Sequence, residues 1–198
     1  MSSKTKTLTE SGLLLAVSLV LYYLGILLPG VGVYFRYLIP GLMAILMKRH
    51  DLLTLFLFSF ALAFCVGLFF GLERLVEVLF MIIPAGFILP FLYTYNTAKV
   101  KIIAVIIFTF SGFFLLFFLG KVMGLEGLGI VDVFAIGHYS VYGRFYQKYG
   151  VKEVDFRQTV NSLIWLLVPI FSNLYGYVLY LINKLTYQKG LKILDVQK

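Results

Sequence analysis

An arginine inside an apolar run is the residue of this chain with the clearest chemical use. Arg36 lies three residues into the run that begins at Val33, and it has Tyr34 and Tyr37 beside it. A charged side chain at the centre of a membrane helix costs about 2.5–3.5 kcal/mol, and less near the interface, where it can reach water. Arg36 therefore fits either an interfacial anchor with aromatic neighbours or an anion-binding group at the mouth of a cavity.

Two carboxylates flank a second arginine at the start of another apolar run. Glu73 and Glu77 lie one helical turn apart, so both face the same way, and Arg74 lies between them in sequence. Acidic side chains are favoured at a helix N-terminus, and both can pair with Arg36 or Arg74. Alternatively Glu77, which is already inside the run, faces a polar cavity and recognises a hydrogen-bond donor or an amine.

Aromatic residues recur at helical spacing in the only long connection, residues 121–158. One stripe of that helix would carry Ala135, His138, Tyr139, Tyr142, Phe145, Tyr146 and Tyr149. The pattern predicts an amphipathic helix lying in the outer membrane interface, where tyrosine is favoured. It serves either as a passive surface helix or as a lid whose His138, Tyr139 and Tyr142 rings close over a planar ligand.

The last apolar run adds two polar or amphipathic side chains near its predicted outer end. Asn161 and Trp165 lie one helical turn apart and can reach the same cavity as Arg36. Asn173 lies deeper, where an amide is equally suited to a hydrogen bond between helices.

The composition identifies the elements that must position these groups as membrane helices. The chain has 61% hydrophobic and 13% charged residues and a mean hydropathy of +0.97, which excludes a soluble globular protein. Its net charge of +8 comes from scattered basic residues, a pattern that does not indicate nucleic-acid binding. Cys65 is the single cysteine, so no intrachain disulfide can form.

The apolar runs predict an all-α integral membrane protein with six transmembrane helices in a single domain. The predicted spans are residues 8–28, 33–47, 52–70, 75–93, 100–119 and 160–182. The second is short for a membrane span, reaching about 22 Å as a helix, and it contains Pro40. We expect this segment to be short, tilted or broken, and we expect the first run to be a retained helix rather than a cleaved signal peptide.

The distribution of charge predicts the orientation in the cytoplasmic membrane. With the N-terminus inside, ten basic residues face three acidic ones on the inner side, whereas seven basic residues face six acidic ones outside. Because short inner loops carry excess lysine and arginine in membrane proteins, both termini are expected to be cytoplasmic. This orientation puts Arg36, Glu77 and the 121–158 segment on the outer side.

The sequence carries none of the usual enzyme signatures, such as a paired-histidine metal motif, a nucleophile elbow or a nucleotide-binding loop. Its two histidines, His50 and His138, fall on opposite predicted sides and cannot share a metal. We therefore expect no catalytic residues, no metal and no cofactor.

The order of features along the chain resembles that of a known transporter family. A charged start leads into a first helix with Gly12 and Ala16, then a Pro-Gly turn and an aromatic loop. A short proline-containing segment (YLIPGLMAILMKRHDLL) and a glycine-ended third helix follow. This layout, over most of residues 8–120, resembles the substrate-binding S components of energy-coupling-factor (ECF) vitamin transporters. It is at least as similar to the YybS-like family of predicted membrane proteins.

The resemblance implies a ligand site on the outer side and a docking surface on the first helix. S components bind a vitamin-like small molecule with the loops 1–2, 3–4 and 5–6. They dock helix 1, through an Ala-x-x-x-Ala motif, onto a transmembrane coupling subunit driven by two ATPases. The matching place here reads Gly12-x-x-x-Ala16, which keeps small residues but not the alanine pair.

These observations predict a non-catalytic membrane subunit, surrounded by lipid, that binds a vitamin-like molecule for uptake. Arg36 and Glu77 would offer opposite charges to the ligand, and Tyr34, Tyr142 and Trp165 would stack on it. The alternative is a structural membrane protein of the YybS-like or MreD-like kind that recruits other proteins.

Overall fold

The computed structural model describes residues 3–28, 31–95, 97–124 and 129–195. The described residues fold into helices that follow the apolar runs of the sequence. In chain order they are α1 Ser3–Leu27, α2 Gly32–Tyr37, α3 Ile39–Arg49, α4 Leu52–Phe70, α5 Leu72–Glu77, α6 Ile83–Thr94, α7 Ala98–Val122, α8 Gly129–Lys148 and α9 Glu153–Asp195. A π-helical turn, Val78–Ile82, joins α5 to α6.

Five helical stretches of the described chain are long and apolar enough to cross a membrane. They are Thr5–Leu27, Leu52–Phe70, Leu72–Thr94, Ala98–Val122 and Glu153–Gln188. This confirms the prediction of a helical membrane protein. Their outer surfaces are rich in exposed leucine, isoleucine and phenylalanine, as expected for side chains that face lipid.

The structure divides the predicted second span into two short helices that meet at Leu38. Pro40 falls in the first turn of α3, where its missing N–H removes a bond that a continuous helix would need. Most of α3 is buried, including Ile39, Met43, Ala44 and Leu46. This segment forms the centre of the bundle, with α1, α4, α6 and α9 packed around it.

Contacts at both ends show that α2 and α3 run antiparallel to α1. At one end, the backbones of Gly25 and Gly32 meet, since a Cβ on Gly32 would lie 2.6 Å from the Gly25 carbonyl oxygen. At the other end, Glu10 Oε2 lies 3.1 Å from Arg49 Nη1 and 2.8 Å from His50 Nε2. Fifteen residues separate Glu10 from Gly25, so the segment accompanies α1 for about 22 Å.

A short turn links α3 to α4 on the same side as the start of α1. Asp51 caps α4, where its carboxylate accepts hydrogen bonds from the Thr54 hydroxyl at 2.5 Å and the Thr54 N–H at 2.8 Å. These hydrogen bonds lower the pKa of the exposed Asp51 carboxyl. The cap thus fixes where the third predicted span begins, and Leu52–Phe70 matches the predicted range of 52–70.

The fourth predicted span consists of α5, the π-helical turn and α6. Within that turn the Ile83 N–H donates to the Val78 carbonyl, five residues back, directly before Pro84. The turn widens the helix next to a residue that cannot donate a backbone hydrogen bond. Glu77 immediately precedes this wide turn.

The last two helices differ in length from the predicted elements. The α8 helix lies inside the 121–158 connection and packs on α7 and α9. The α9 helix begins at Glu153 and continues to Asp195, well beyond the predicted span of 160–182. Both ends of α9 are rich in polar residues, and the helix continues through Gly190, so hydropathy underestimates its length.

Candidate functional site

An ion-pair cluster joins α1, α2 and α5 at the end of the bundle where Gly25 meets Gly32. Arg36 Nη1 lies 2.5 Å from Glu77 Oε1. The second carboxylate oxygen of Glu77 accepts from the Tyr22 hydroxyl at 3.0 Å and from Arg74 Nη1 at 3.3 Å. Glu77 is therefore the centre of the cluster, held by donors from three helices.

The cluster carries one more positive than negative charge. Two guanidinium groups, those of Arg36 and Arg74, share the single carboxylate of Glu77. The side chains of Arg36 and Glu77 are 16% and 25% exposed, whereas that of Arg74 is 40% exposed. Arg36 Nε is buried and has no hydrogen-bond partner among the described residues. An anion is the kind of group that this arrangement can still accept.

Two α1 residues, Gly25 and Tyr22, surround the Arg36 side chain. Gly25 has no side chain, and a Cβ there would collide with the aliphatic stem of Arg36. The guanidinium carbon of Arg36 lies 5.9 Å from the centroid of the Tyr22 ring, within range of a cation–π contact. The fully buried Tyr22 thus contacts both charged partners of the ion pair.

Aromatic side chains lead from the charged cluster towards an apolar cavity. The Tyr37 ring meets the Tyr175 ring edge-on at a centroid distance of 5.2 Å, and Tyr34 meets Tyr37 at 6.4 Å. Tyr175 also lines a cavity of about 370 Å³ between α7, α9 and the π-helical turn. Its other walls include Met81, Leu116 and Ile164.

The predicted residues of α8 form a second, separate aromatic cluster. His138, Tyr139 and Tyr146 all contact the Phe156 ring of α9, at centroid distances of 5.7, 5.7 and 4.9 Å. The Tyr139 hydroxyl donates to the Val151 carbonyl at 2.8 Å. Tyr142 stays exposed and packs on His138 at 4.7 Å. These contacts hold α8 against the start of α9.

Of the remaining predicted ligand residues, Glu73 and Asn161 are exposed, at the starts of α5 and α9 respectively. Trp165 is 68% exposed and packs on Phe113 of α7 at 5.1 Å. The structure therefore brings Arg36, Arg74 and Glu77 together, whereas Trp165 packs against α7.

The predicted docking residues lie on an open face of α1. Gly12 and Ala16 are both exposed, and a Cβ on Gly12 would meet nothing within 4 Å. Gly12 lines a groove of about 520 Å³ between α1 and α4, together with Ser11, Thr54 and Phe58. The small residues therefore leave a surface open to another molecule.

Comparison with known proteins does not identify this arrangement of side chains. No family model, curated protein or solved structure matched the chain. Any functional assignment accordingly depends on the side chains themselves. Within the described part of the chain, no group of three or more His, Cys, Asp or Glu residues is placed to hold a metal ion.

Three aromatic residues of these clusters escape sequence reasoning: Tyr22, Tyr175 and Phe156. For Tyr22 a signal exists, because Ser18, Tyr22 and Gly25 fall on one helical face of an otherwise apolar run. That small and polar face points inward. Tyr175 and Phe156 carry no comparable signal, since their roles depend on which helices become neighbours.

Proposed function

We propose that the protein is the substrate-binding subunit of an uptake system for a vitamin-like small molecule that carries an anionic group. The observation that supports this most is the pairing of two guanidinium groups with a single carboxylate inside a helical membrane bundle. A structural ion pair needs one arginine, whereas the second leaves a positive charge for a ligand. The subunit itself performs no catalysis, and partner ATPases energise transport.

The surroundings of the cluster suit a ligand with two chemically different parts. The anionic group binds between Arg74 and Arg36, while the body of the molecule packs on Tyr34, Tyr37 and Tyr175. The 370 Å³ cavity next to Tyr175 accommodates an apolar portion. Glu77 orients both guanidinium groups through its two oxygens.

Six crossings with both termini in the cytoplasm place this site on the outer side. The path of α2 and α3 beside α1, with contacts near Gly25 and near Glu10, supports counting this pair as one crossing. The bias of lysine and arginine towards the other end supports the same orientation. A substrate then enters from outside, and the partner subunits bind within the membrane and at the inner face.

The ligand proposal predicts a selective effect of Arg74→Gln. Arg74 is the most exposed member of the cluster, so its loss leaves the Arg36–Glu77 pair and the fold intact. Loss of a charge-assisted hydrogen bond of about 1.5–3 kcal/mol should weaken ligand affinity at least tenfold. Thermal unfolding of the detergent-purified protein against a panel of vitamins and related carboxylates measures this.

The matched control for that experiment is Arg144→Gln, which removes the same charge from an exposed position on α8. Arg144→Gln should respond to the panel like the wild-type protein. Equal responses of the wild-type protein and Arg74→Gln to every stabilising compound would contradict the assignment of Arg74 to the site.

A docking role for α1 predicts that Gly12→Leu leaves the fold unchanged but prevents partner assembly. The added side chain points into open space and so disturbs no internal contact, while it blocks close approach of another helix. Co-purification of a coupling membrane protein and ATPases measures the effect. Val20→Leu, at another exposed position of α1, is the control. Normal assembly of the Gly12→Leu protein would refute the docking role.

A scaffold that recruits other proteins is the second candidate function. The open groove beside Gly12 supports it, because a docking surface is equally useful without a ligand. The two functions differ in their response to Arg74→Gln. A scaffold keeps its activity in that variant, whereas an uptake subunit loses transport.

A further inference from the structure

An apolar groove runs between α7 and α9. It has a volume of about 480 Å³, and Val105 and Tyr177 on its walls are exposed. Its walls are formed by Leu92, Lys101, Ala104, Val105, Phe108, Asn173, Gly176, Tyr177 and Tyr180. Apart from Lys101 at one end and Asn173 at the other, these side chains are apolar or aromatic.

The lysine end of the groove opens beside a smaller and more polar cavity. This cavity has a volume of about 180 Å³ and shares Leu92 and Tyr180 with the groove. Its remaining walls are Tyr93, Lys184, Tyr187 and Gln188. Lys184 Nζ lies 5.9 Å from the centroid of the Tyr180 ring. One lysine therefore lines each compartment, and Tyr180 lines both.

We infer that the groove and the polar cavity together bind one anionic phospholipid. An acyl chain lies in the groove, and the phosphate binds between Lys101 and Lys184. The glycerol and headgroup hydroxyls face the hydroxyl of Tyr187 and the amide of Gln188. The inference requires a membrane protein but does not depend on the small-molecule site.

The polarity of the groove suits an acyl chain, and its length accommodates part of one. Its α9 residues extend from Asn173 to Tyr180, which corresponds to about 10 Å along the helix axis. The amide nitrogen of Asn173 already donates to the Thr109 hydroxyl at 2.9 Å and to the Pro169 carbonyl at 2.8 Å. The amide nitrogen of Asn173, at the deep end of the groove, therefore needs no polar group from a ligand.

The charges near the opening favour an anionic over a zwitterionic lipid. Both lysines are exposed, and none of the described residues lining either compartment is acidic. Basic pockets between membrane helices on the cytoplasmic side suit anionic headgroups, and each lysine contributes about 1 kcal/mol. Lys101 near the start of α7 and Lys184 late in α9 lie at the end that the charge distribution assigns to the cytoplasm.

The experiment titrates the full-length protein in mild detergent with phosphatidylglycerol or phosphatidylcholine and follows the thermal unfolding midpoint. Phosphatidylglycerol should raise the midpoint of the wild-type protein by about 5 °C, and phosphatidylcholine by much less. In Lys101→Gln/Lys184→Gln, the phosphatidylglycerol mole fraction that gives half of the shift should rise about thirtyfold. Lys121→Gln/Lys148→Gln, with the same charge change elsewhere, should behave like the wild-type protein.

A second pair of variants tests the acyl groove independently of charge. Val105→Trp fills the groove and should reduce the phosphatidylglycerol shift at least by half, whereas Ile106→Trp, on the adjacent exposed face, should leave it intact. The inference would be overturned if both double lysine variants lost the phosphatidylglycerol shift equally, or if the two lipids gave equal shifts. A lysine-dependent shift produced by inorganic phosphate alone would show a headgroup-only anion site and would also overturn it.

Discussion

Glu77→Ala is expected to lower the free energy of unfolding by about 3 kcal/mol. The change leaves Arg36 and Arg74 without the carboxylate that both contact, and the Tyr22 hydroxyl loses the nearer of its two acceptors, keeping only the Arg74 carbonyl at 3.4 Å. Removing one partner of a partly buried ion pair is costly because the remaining charge stays in a poorly solvated place. Reversible unfolding in mixed detergent and SDS micelles measures this difference.

Two further variants give this prediction its controls. Glu73→Ala removes an exposed carboxylate from the same helix and should change the unfolding free energy by no more than about 0.5 kcal/mol. Arg36→Met/Glu77→Gln removes both charges of the pair and should recover most of the stability lost in Glu77→Ala. If Glu77→Ala is as harmless as Glu73→Ala, the ion-pair cluster is not part of the folded interior.

Gly32→Ala is expected to destabilise the bundle by about 2 kcal/mol. The new Cβ would lie 2.6 Å from the carbonyl oxygen and 2.9 Å from the carbonyl carbon of Gly25. These are backbone atoms of a long helix, so relief requires α1 and α2 to separate rather than a side chain to rotate. Because Arg36 follows one turn later on α2, the same shift also displaces the ion pair. Thermal and SDS unfolding measure the loss.

Gly12→Ala, near the other end of α1, is the matched control. A Cβ at Gly12 meets nothing within 4 Å, and alanine is the better helix former. This variant should therefore gain about 0.5–1 kcal/mol. The opposite order, with Gly32→Ala tolerated and Gly12→Ala destabilising, would contradict the packing of α2 against α1.

The apolar runs predict most of the helices because membrane insertion depends on the length and hydropathy of each segment separately. The third span shows this best, since Asp51 and Gly71 mark its ends and the structure has Leu52–Phe70. The charged residues were also found from the sequence, because a charge in an apolar run is conspicuous. Their pairing between α2 and α5 is a property of the tertiary structure, so the sequence offered it only as one of several alternative roles for these residues.

The second predicted span shows that the hydropathy of one segment does not predict its position in the bundle. Residues 33–47 are short and contain Pro40, which predicts a break, and the structure has one at Leu38. Nothing in hydropathy reveals that α3 lies at the centre of the bundle, because lipid-facing and core-facing side chains are equally apolar. The α8 stripe is similar: its rings pack on Phe156, a residue that the sequence pattern does not connect to it.

The central claim is that the cluster of Arg36, Arg74 and Glu77 holds an anionic small molecule. The most direct test is mass spectrometry of the compounds released on denaturing gently purified wild-type and Arg74→Gln protein. The account predicts one small anionic compound in near-equal amount to the wild-type protein and at least tenfold depleted from Arg74→Gln. A wild-type extract with no compound enriched over a detergent blank, or equal amounts from both proteins, would contradict it.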